Sequence, residues 1–181
     1  MGDTRPHPPT LPLVAVITRY PETLAWAAAK LAEAYGSPAL VSPTFSFAET
    51  SYYDATMGPG LGKTFLTFDG AYDAGELAAV KLRTNAWEAE YAALGLHAEP
   101  RPLNLDPGYI TAAKLVLAST KDHAHRIYLS DGMYAEITLM YRHGAWQSHE
   151  FTFPDYRRAD YHEFFTQCRN FLARNRRQNR S

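Results

Sequence analysis

The sequence has a single cysteine, Cys168, so no disulfide can form within the chain. That excludes a disulfide-stapled scaffold and fits a reducing compartment. No apolar run approaches the roughly 20 residues that a membrane helix needs. The start, MGDTRPHPPTLP, is Pro-rich and polar and lacks the apolar core of a secretory signal. Gly2 follows Met1, but Pro6 stands where myristoylation requires Ser or Thr. An excess of one charge is also missing. The formal net charge is −1, which argues against a generally nucleic-acid-binding surface. There is no internal repeat and no Gly-x-Ser-x-Gly elbow. The expectation is a cytoplasmic protein that makes no use of a membrane.

What the chain does have is apolar and aromatic. It is 46% hydrophobic and 20% charged, an ordinary globular composition, and it carries 12 Tyr, 9 Phe and 3 Trp. No long linker interrupts its 181 residues, so one domain over 12–175 is the simplest division. Residues 1–11 are Pro-rich and aperiodic and are expected to be a disordered lead. The last nine residues, ARNRRQNRS, hold four Arg and no acid. Their basic tail, 176–181, reads as a frayed helix end or as a phosphate contact for RNA or another polyanion.

Leu13 to Thr18, LVAVIT, has the length and β-branching of a buried strand. Pro21 opens a helix with Leu24, Ala27, Ala28, Leu31, Ala32 and Tyr35 on one face, and Gly36 ends it. A second strand is expected in 39–47, where Pro43 limits it to an edge or a bulge. SYYDATMGPG reads as a loop and FLTF as a third strand. Asp73 and Glu76 form a capping-box-like start to a helix with Leu77, Val80, Thr84, Trp87, Tyr91 and Leu94 on one face. Residues 101–105 supply a fourth strand. The fold class is α+β, and this β-α-β-β-α-β order predicts a ferredoxin-like split βαβ first half. The second half adds a short helix over 112–118, an antiparallel β-meander and a C-terminal helix. Asp160 and Glu163 cap that helix, and its stripe is Tyr161, Phe164, Phe165, Cys168, Phe171 and Leu172. Cys168 on that stripe reads as a buried, inert thiol.

The chemistry-bearing residues concentrate in NLDPGYITAAKLVLASTKDHAHRIYLSDGMYAEITLMYR, residues 104–142. Asp106-Pro107-Gly108 reads as a turn or a helix N-cap. The hairpin that follows can be registered from its pattern. A two-residue loop at Asp131-Gly132 pairs Ile127 with Glu136 and sets an acid among apolar residues. A three-residue loop, Ser130-Asp131-Gly132, pairs Leu129 with Met133 and Ile127 with Ala135. The latter gathers Ile127, Leu129, Met133, Ala135, Ile137 and Leu139 on one face, and Arg126, Tyr128, Tyr134, Glu136 and Thr138 on the other. Arg126 then sits opposite Glu136, and Tyr128 opposite Tyr134. A further strand, AWQSHEF, brings either His149 or Glu150 to the polar face, depending on its loop.

This face is the candidate site. Lys121 and Arg126 would hold an anion, with Lys63 as a further cation. Glu136 would orient Arg126 or act as a base, and Tyr128 and Tyr134 would stack or hydrogen-bond. His125 and Asp106 are the other candidate acid–base groups. The plainer alternative is a solvated face whose ion pair is worth under about 1 kcal/mol. In that alternative His125 is a core histidine bonded to backbone, and Asp106 is a cap or turn residue. Gly58 to Thr64, GPGLGKT, looks like a phosphate loop but is one residue short, and the FLTF after it reads as a strand. A looser anion nest with Lys63 remains open. Asp122-His123-Ala124-His125 lacks a second ligand cluster, so no metal site is expected.

Seven segments carry a resemblance: MGPGL at 57–61, KLRTN at 81–85, NLDPGYIT at 104–111, KLVLASTKD at 114–122, HRIYL at 125–129, YAEITLMYR at 134–142 and FPDYR at 153–157. Through them the chain resembles a bacterial family defined as a domain of unknown function, DUF 4416, over nearly everything but its ends. The resemblance implies a small soluble bacterial protein and carries no activity or cofactor with it. Two functional expectations follow. One is a small phosphorylated ligand or nucleotide on the polar sheet face. The other is a non-catalytic RNA- or protein-interaction module, although the aromatic strand motif of RNA-binding ferredoxin-like sheets is absent.

Overall fold

The computed structural model describes residues 2–3, 7–49, 52–70 and 72–178, without the side chains of 176–178. The chain is α+β: among the described residues nine strands form one antiparallel sheet with four α-helices. Strand β1 (Leu11–Thr18) is buried along its whole length, because both its faces are covered. Helix α1 (Pro21–Tyr35) follows, with Pro21 at the position where proline costs least. Strands β2 (Pro38–Val41) and β3 (Phe45–Ser46) are short and flank Pro43, which breaks the expected single strand. The one-turn helix α2 (Asp54–Met57) interrupts the predicted loop and leads to β4 (Gly62–Phe68). The 3-10 turn Ala74–Glu76 opens α3 (Leu77–Ala93), and Asp73 caps it through Gly75 N.

The next two elements depart from expectation. Asp106-Pro107-Gly108 is not a turn but the middle of β5 (Asn104–Ile110). Gly108 stands there because β6 crosses too closely for a side chain. A Cβ on Gly108 would lie 2.1 Å from the Val116 carbonyl oxygen and 2.7 Å from the Leu117 side chain. Pro107 is tolerated because the β6 ladder begins only at Gly108. Residues 112–118 are not helical: β6 is Lys114–Ser119. Its apolar run is continuous because both faces are buried. Leu115 and Leu117 face one core, Val116 and Ala118 the other. Such a run has no period that separates strand from helix.

Strands β7 (Ile127–Ser130), β8 (Met133–Arg142) and β9 (Ala145–Gln147) complete the sheet, in the order β2-β4-β1-β5-β6-β8-β7. β3 pairs with β4, and β9 with β8. The chain ends in the 3-10 turn Asp155–Arg157 and α4 (Ala159–Gln178). The tail residues 179–181 lie outside the described residues. Helices α1 and α3 pack on one face of the sheet and α4 on the other. Val14, Val16, Leu66 and Leu105 meet Ala27, Leu31 and Tyr91 on the first face. Leu13, Phe65, Leu115 and Leu139 meet Tyr161, Phe164, Phe165 and Cys168 on the second. Burial pushes the Cys168 thiol up to about 12, which keeps it protonated and inert. Among the described residues no helix is long and apolar enough to cross a membrane.

The β7–β8 hairpin combines both readings of its sequence. Ile127 pairs with Ala135 and Tyr128 with Tyr134, the register expected of the three-residue loop. The turn itself has two residues, Asp131 and Gly132, both left-handed at φ 52° and 75°. Ser130, not Leu129, pairs with Met133, and Leu129 is taken up in a bulge.

Candidate functional site

Strands β5 and β6 pair only over Gly108–Ile110 and Leu115–Leu117. Where they part, a cleft of about 600 Å³ opens. Asn104 and Asp106 of β5, Ser119 of β6 and Glu136 of β8 line it, and so do Lys63 of β4 and Asp155. Lys81, Asn85 and Glu88 of α3 reach it as well. Phe47, Tyr53, Phe153 and Tyr156 supply aromatic wall. The lining therefore mixes apolar rings with convergent polar groups, as small-molecule sites do.

Arg126 and Glu136 form one of its buried pairs. Arg126 Nε donates to Glu136 Oε2 at 2.8 Å, and each side chain is only 3% exposed. This is not the solvated face of the plainer alternative. The face carrying Glu136 and Thr138 is buried, while Ile127 is 71% exposed and Ile137 42%. The apolar expectation fails for two reasons. β7 is the sheet edge, and a bulge opposite Leu115–Val116 turns Leu139 into the α4 core. Arg126 also donates to Ser119 Oγ at 2.7 Å and to the Lys121 carbonyl at 2.9 Å. Thr138 Oγ1 donates to Glu136 Oε1 at 3.2 Å. These bonds hold the carboxylate in one orientation.

Across the cleft, α3 and β5 share a second network. Lys81 Nζ donates to the Leu105 carbonyl at 2.7 Å and lies 3.4 Å from Asp106 Oδ1. Asn104 Nδ2 donates to Asp106 Oδ2 at 2.8 Å. Burial pushes the Asp106 carboxyl upward, but the Lys81 and Lys63 ammonium groups and the Asn104 amide outweigh it and hold it below the usual range. Glu88 shifts the other way. Its burial outweighs Lys81 and Arg101, although it accepts from Leu105 N at 2.7 Å and from Arg101 at 2.9 Å. Lys63 is buried and paired with Asp155, its ammonium 4.2 Å from the centre of the Phe47 ring and 4.7 Å from that of Tyr156. It is therefore turned into the cleft rather than into an anion nest.

Of the candidates read from sequence, the structure gathers Lys63, Asp106, Lys121, Arg126 and Glu136 around one cleft. His125 stands behind them. Its Nε2 lies 3.1 Å from Glu136 Oε2, and its ring stacks on Phe151 at 4.5 Å. It bonds to a carboxylate, not to backbone, because it precedes β7 in a turn and does not follow strand parity. Tyr128 and Tyr134 meet edge to face at 5.4 Å but do not line the cleft. Neither His149 nor Glu150 joins the site, since β9 stops at Gln147 and the His149 ring bonds the Ile137 carbonyl. Sequence reasoning missed Lys81, Asn85, Glu88, Arg101 and Asp155. Lys81, Asn85 and Glu88 did carry a signal, a polar i, i+4, i+7 stripe beside the apolar stripe of α3. Asp155 had no such signal, because its partner Lys63 is 92 residues away.

Among the described residues no group of three or more His, Cys, Asp or Glu is arranged to hold a metal ion. No curated protein and no solved structure matches the chain. The family model for a domain of unknown function, DUF4416, matches residues 8–171, and the chain belongs to that family.

Proposed function

We propose that the cleft binds a small ligand carrying an anionic group, a phosphorylated metabolite or nucleotide, with the anion at Lys121. The observation that carries this reading is a charge left over at the rim. Lys63 is paired with Asp155, Lys81 with Asp106 and Glu88, Arg101 with Glu88, and Arg126 with Glu136. Lys121 alone among the lining Lys and Arg has no carboxylate partner among the described residues. Its ammonium bonds the Tyr52 hydroxyl at 2.7 Å. An anion there gains an unmatched cation, and the aromatic walls favour a flat group beside it. Buried ion pairs add little net stability, so a cleft lined by five ion pairs, two of them buried on both sides, is better explained by binding than by folding. In this reading Glu136 orients Arg126 and is not a base, because its oxygens are already taken by three donors.

The ferredoxin-like assignment of the first half belongs to the same proposal. The order β2-β4-β1-β5, with α1 and α3 on one face, supports it. A cytoplasmic setting draws support from the buried, free Cys168 thiol. The test is a thermal-shift screen against nucleoside monophosphates, sugar phosphates and inorganic phosphate. A ligand at a hundred times its dissociation constant should stabilise by about 2.7 kcal/mol. The shift should disappear in Lys121→Ala. A screen with no response, or a response that Lys121→Ala leaves intact, would sink the site.

One observation favours the interaction module as a second reading. Ile127 and Tyr128 are well exposed on the edge strand β7, where RNA bases could stack on Tyr128. Binding of a short single-stranded RNA that weakens in Tyr128→Ala and with salt would favour it.

A further inference from the structure

Nearly all the charged side chains of the cleft are spent on one another, but two neutral ones are spent on nothing. The Asn85 amide and the Tyr53 hydroxyl line the cleft and make no hydrogen bond among the described residues. Both residues are only partly buried, and their polar atoms stay open to solvent. The fold turns both toward one corner. Lys81, Asn85 and Glu88 stand a turn apart on one face of α3. Lys81 and Glu88 reach β5 there, at the Leu105 carbonyl and the Leu105 N–H. Asn85, between them, faces the same strand where it borders the cleft. Glu88 also binds Arg101, whose guanidinium carbon lies 5.8 Å from the centre of the Tyr53 ring. That ring meets Tyr52 edge-on at 5.0 Å, and the Tyr52 hydroxyl holds Lys121. The corner therefore adjoins the rim cation.

We propose that this corner holds the uncharged end of the ligand, a nucleobase, with Asn85 and Tyr53 as the residues that set its specificity. The inference rests on the reading of the cleft as a site whose anion sits at Lys121, and it adds the chemistry of the other end. A side-chain amide sets an N–H donor beside an oxygen acceptor. Such an edge pairs bidentately with a donor and acceptor held side by side, as on the edge of a base. Tyr53 adds a donor. Burial first, then the Asp106 carboxylate, push its phenol up, so it keeps its proton. A second charged group would find no free counter-charge in the corner, because Lys81 is paired with Asp106 and Glu88, and Arg101 with Glu88. The rings of Phe47 and Tyr53, 5.7 Å apart, supply wall for a flat group. A nucleobase has both the flatness and the rigid edge, and a sugar phosphate has neither.

The experiment compares wild type with Asn85→Ala and Tyr53→Phe. Without ligand, neither variant should melt clearly below wild type. The groups removed bond nothing in the fold, and alanine is the better helix former. A clear fall in both would mean that these groups have partners within the fold, and would overturn the inference. Calorimetric titration of AMP, GMP, CMP and UMP, with ribose 5-phosphate and inorganic phosphate alongside, supplies the second readout. Wild type should prefer one base over the others. The preferred nucleotide should lose about tenfold in affinity in Tyr53→Phe, the worth of one neutral hydrogen bond, and more in Asn85→Ala. The preference among bases should shrink in Asn85→Ala. Ribose 5-phosphate and phosphate should bind all three proteins alike. An equal loss for ribose 5-phosphate in Asn85→Ala would overturn the inference, since Asn85 would then act on the anion or the sugar. Unchanged nucleotide affinity in both variants, or wild type that binds phosphate but no nucleotide, overturns the inference and leaves the anion site standing. Failure of the wild type to bind any of these probes overturns both.

Discussion

Phe65 and Lys63 are two residues apart on β4 and point to the same face of the sheet, yet their surroundings are opposite. Phe65 lies under α4 against Tyr161, Phe164 and Phe165, with ring centres 4.9 to 5.9 Å away. Lys63 lines the cleft and pairs with Asp155. The same contrast runs across the sheet. Ile110 on β5, Leu115 on β6 and Leu139 on β8 lie in the α4 core. Asp106, Ser119 and Glu136, on the same three strands, lie in the cleft. One end of this face is closed by rings that interlock. The other holds charges, each of which needs a partner at hydrogen-bond distance. Each bond fixes a direction, and because β5 and β6 pair only over Gly108–Ile110 and Leu115–Leu117 this end is left open as the cleft.

That contrast can be broken at either end. The largest loss is expected in the ring cluster. Phe165→Ala, at a position with no exposure, should cost about 3–5 kcal/mol in urea or thermal unfolding. Glu136→Ala should approach it, at about 3–5 kcal/mol, because Arg126 is left buried without its carboxylate. The two losses differ in how they are repaired. Replacing both partners, as Arg126→Met with Glu136→Leu, should recover most of the second loss, since well-packed apolar groups of similar size substitute for a buried pair. A double variant as unstable as the single would mean that the pair holds the fold by more than its mutual charge.

Smaller effects sharpen the difference. Asp106 is held below its ordinary range in the folded protein, so its ionised form stabilises the fold. Wild type should therefore exceed Asp106→Asn in stability at neutral pH. The gap should be complete above the unfolded carboxylate range, about pH 4, and should close as pH falls through the depressed folded value. Glu88 is raised, and its contribution has the opposite sign. Stability from Glu88 is greatest below the unfolded value and declines as pH rises through the folded one. Melting temperatures from pH 2 to 7 on wild type, Asp106→Asn and Glu88→Gln would separate the two. The smallest effect is expected at the rim. Lys121→Ala should change stability by no more than about 0.5 kcal/mol while removing the response to anionic ligands.

Much of this arrangement is legible in the sequence. The buried strand at 13–18, the helix after Pro21, the α4 stripe and the opposition of Arg126 to Glu136 all follow from local periodicity. Five of the eight candidate residues do line one cleft. The errors share a cause. Residues 112–118 read as a helix because a strand buried on both faces has no alternation to show. Asp106-Pro107-Gly108 read as a turn because a glycine needed for close strand approach is written like one needed for a bend. The solvated face weighed as the plainer alternative for β8 fails because nothing local announces that residues 148–158 cover Thr138 and Glu136.

The sequence by itself determined the class of the fold, its helical stripes, the register of the β7–β8 pair past the bulge and membership in the family. These depend on neighbours along the chain or across a tight turn, where spacing alone sets the geometry. Only the tertiary structure decided which polar residues are buried together. Lys63 meets Asp155 across 92 residues and Lys81 meets Asp106 across 25. Such pairs form because a charge taken out of water must find a counter-charge wherever the packed elements place one, and no periodicity encodes that distance.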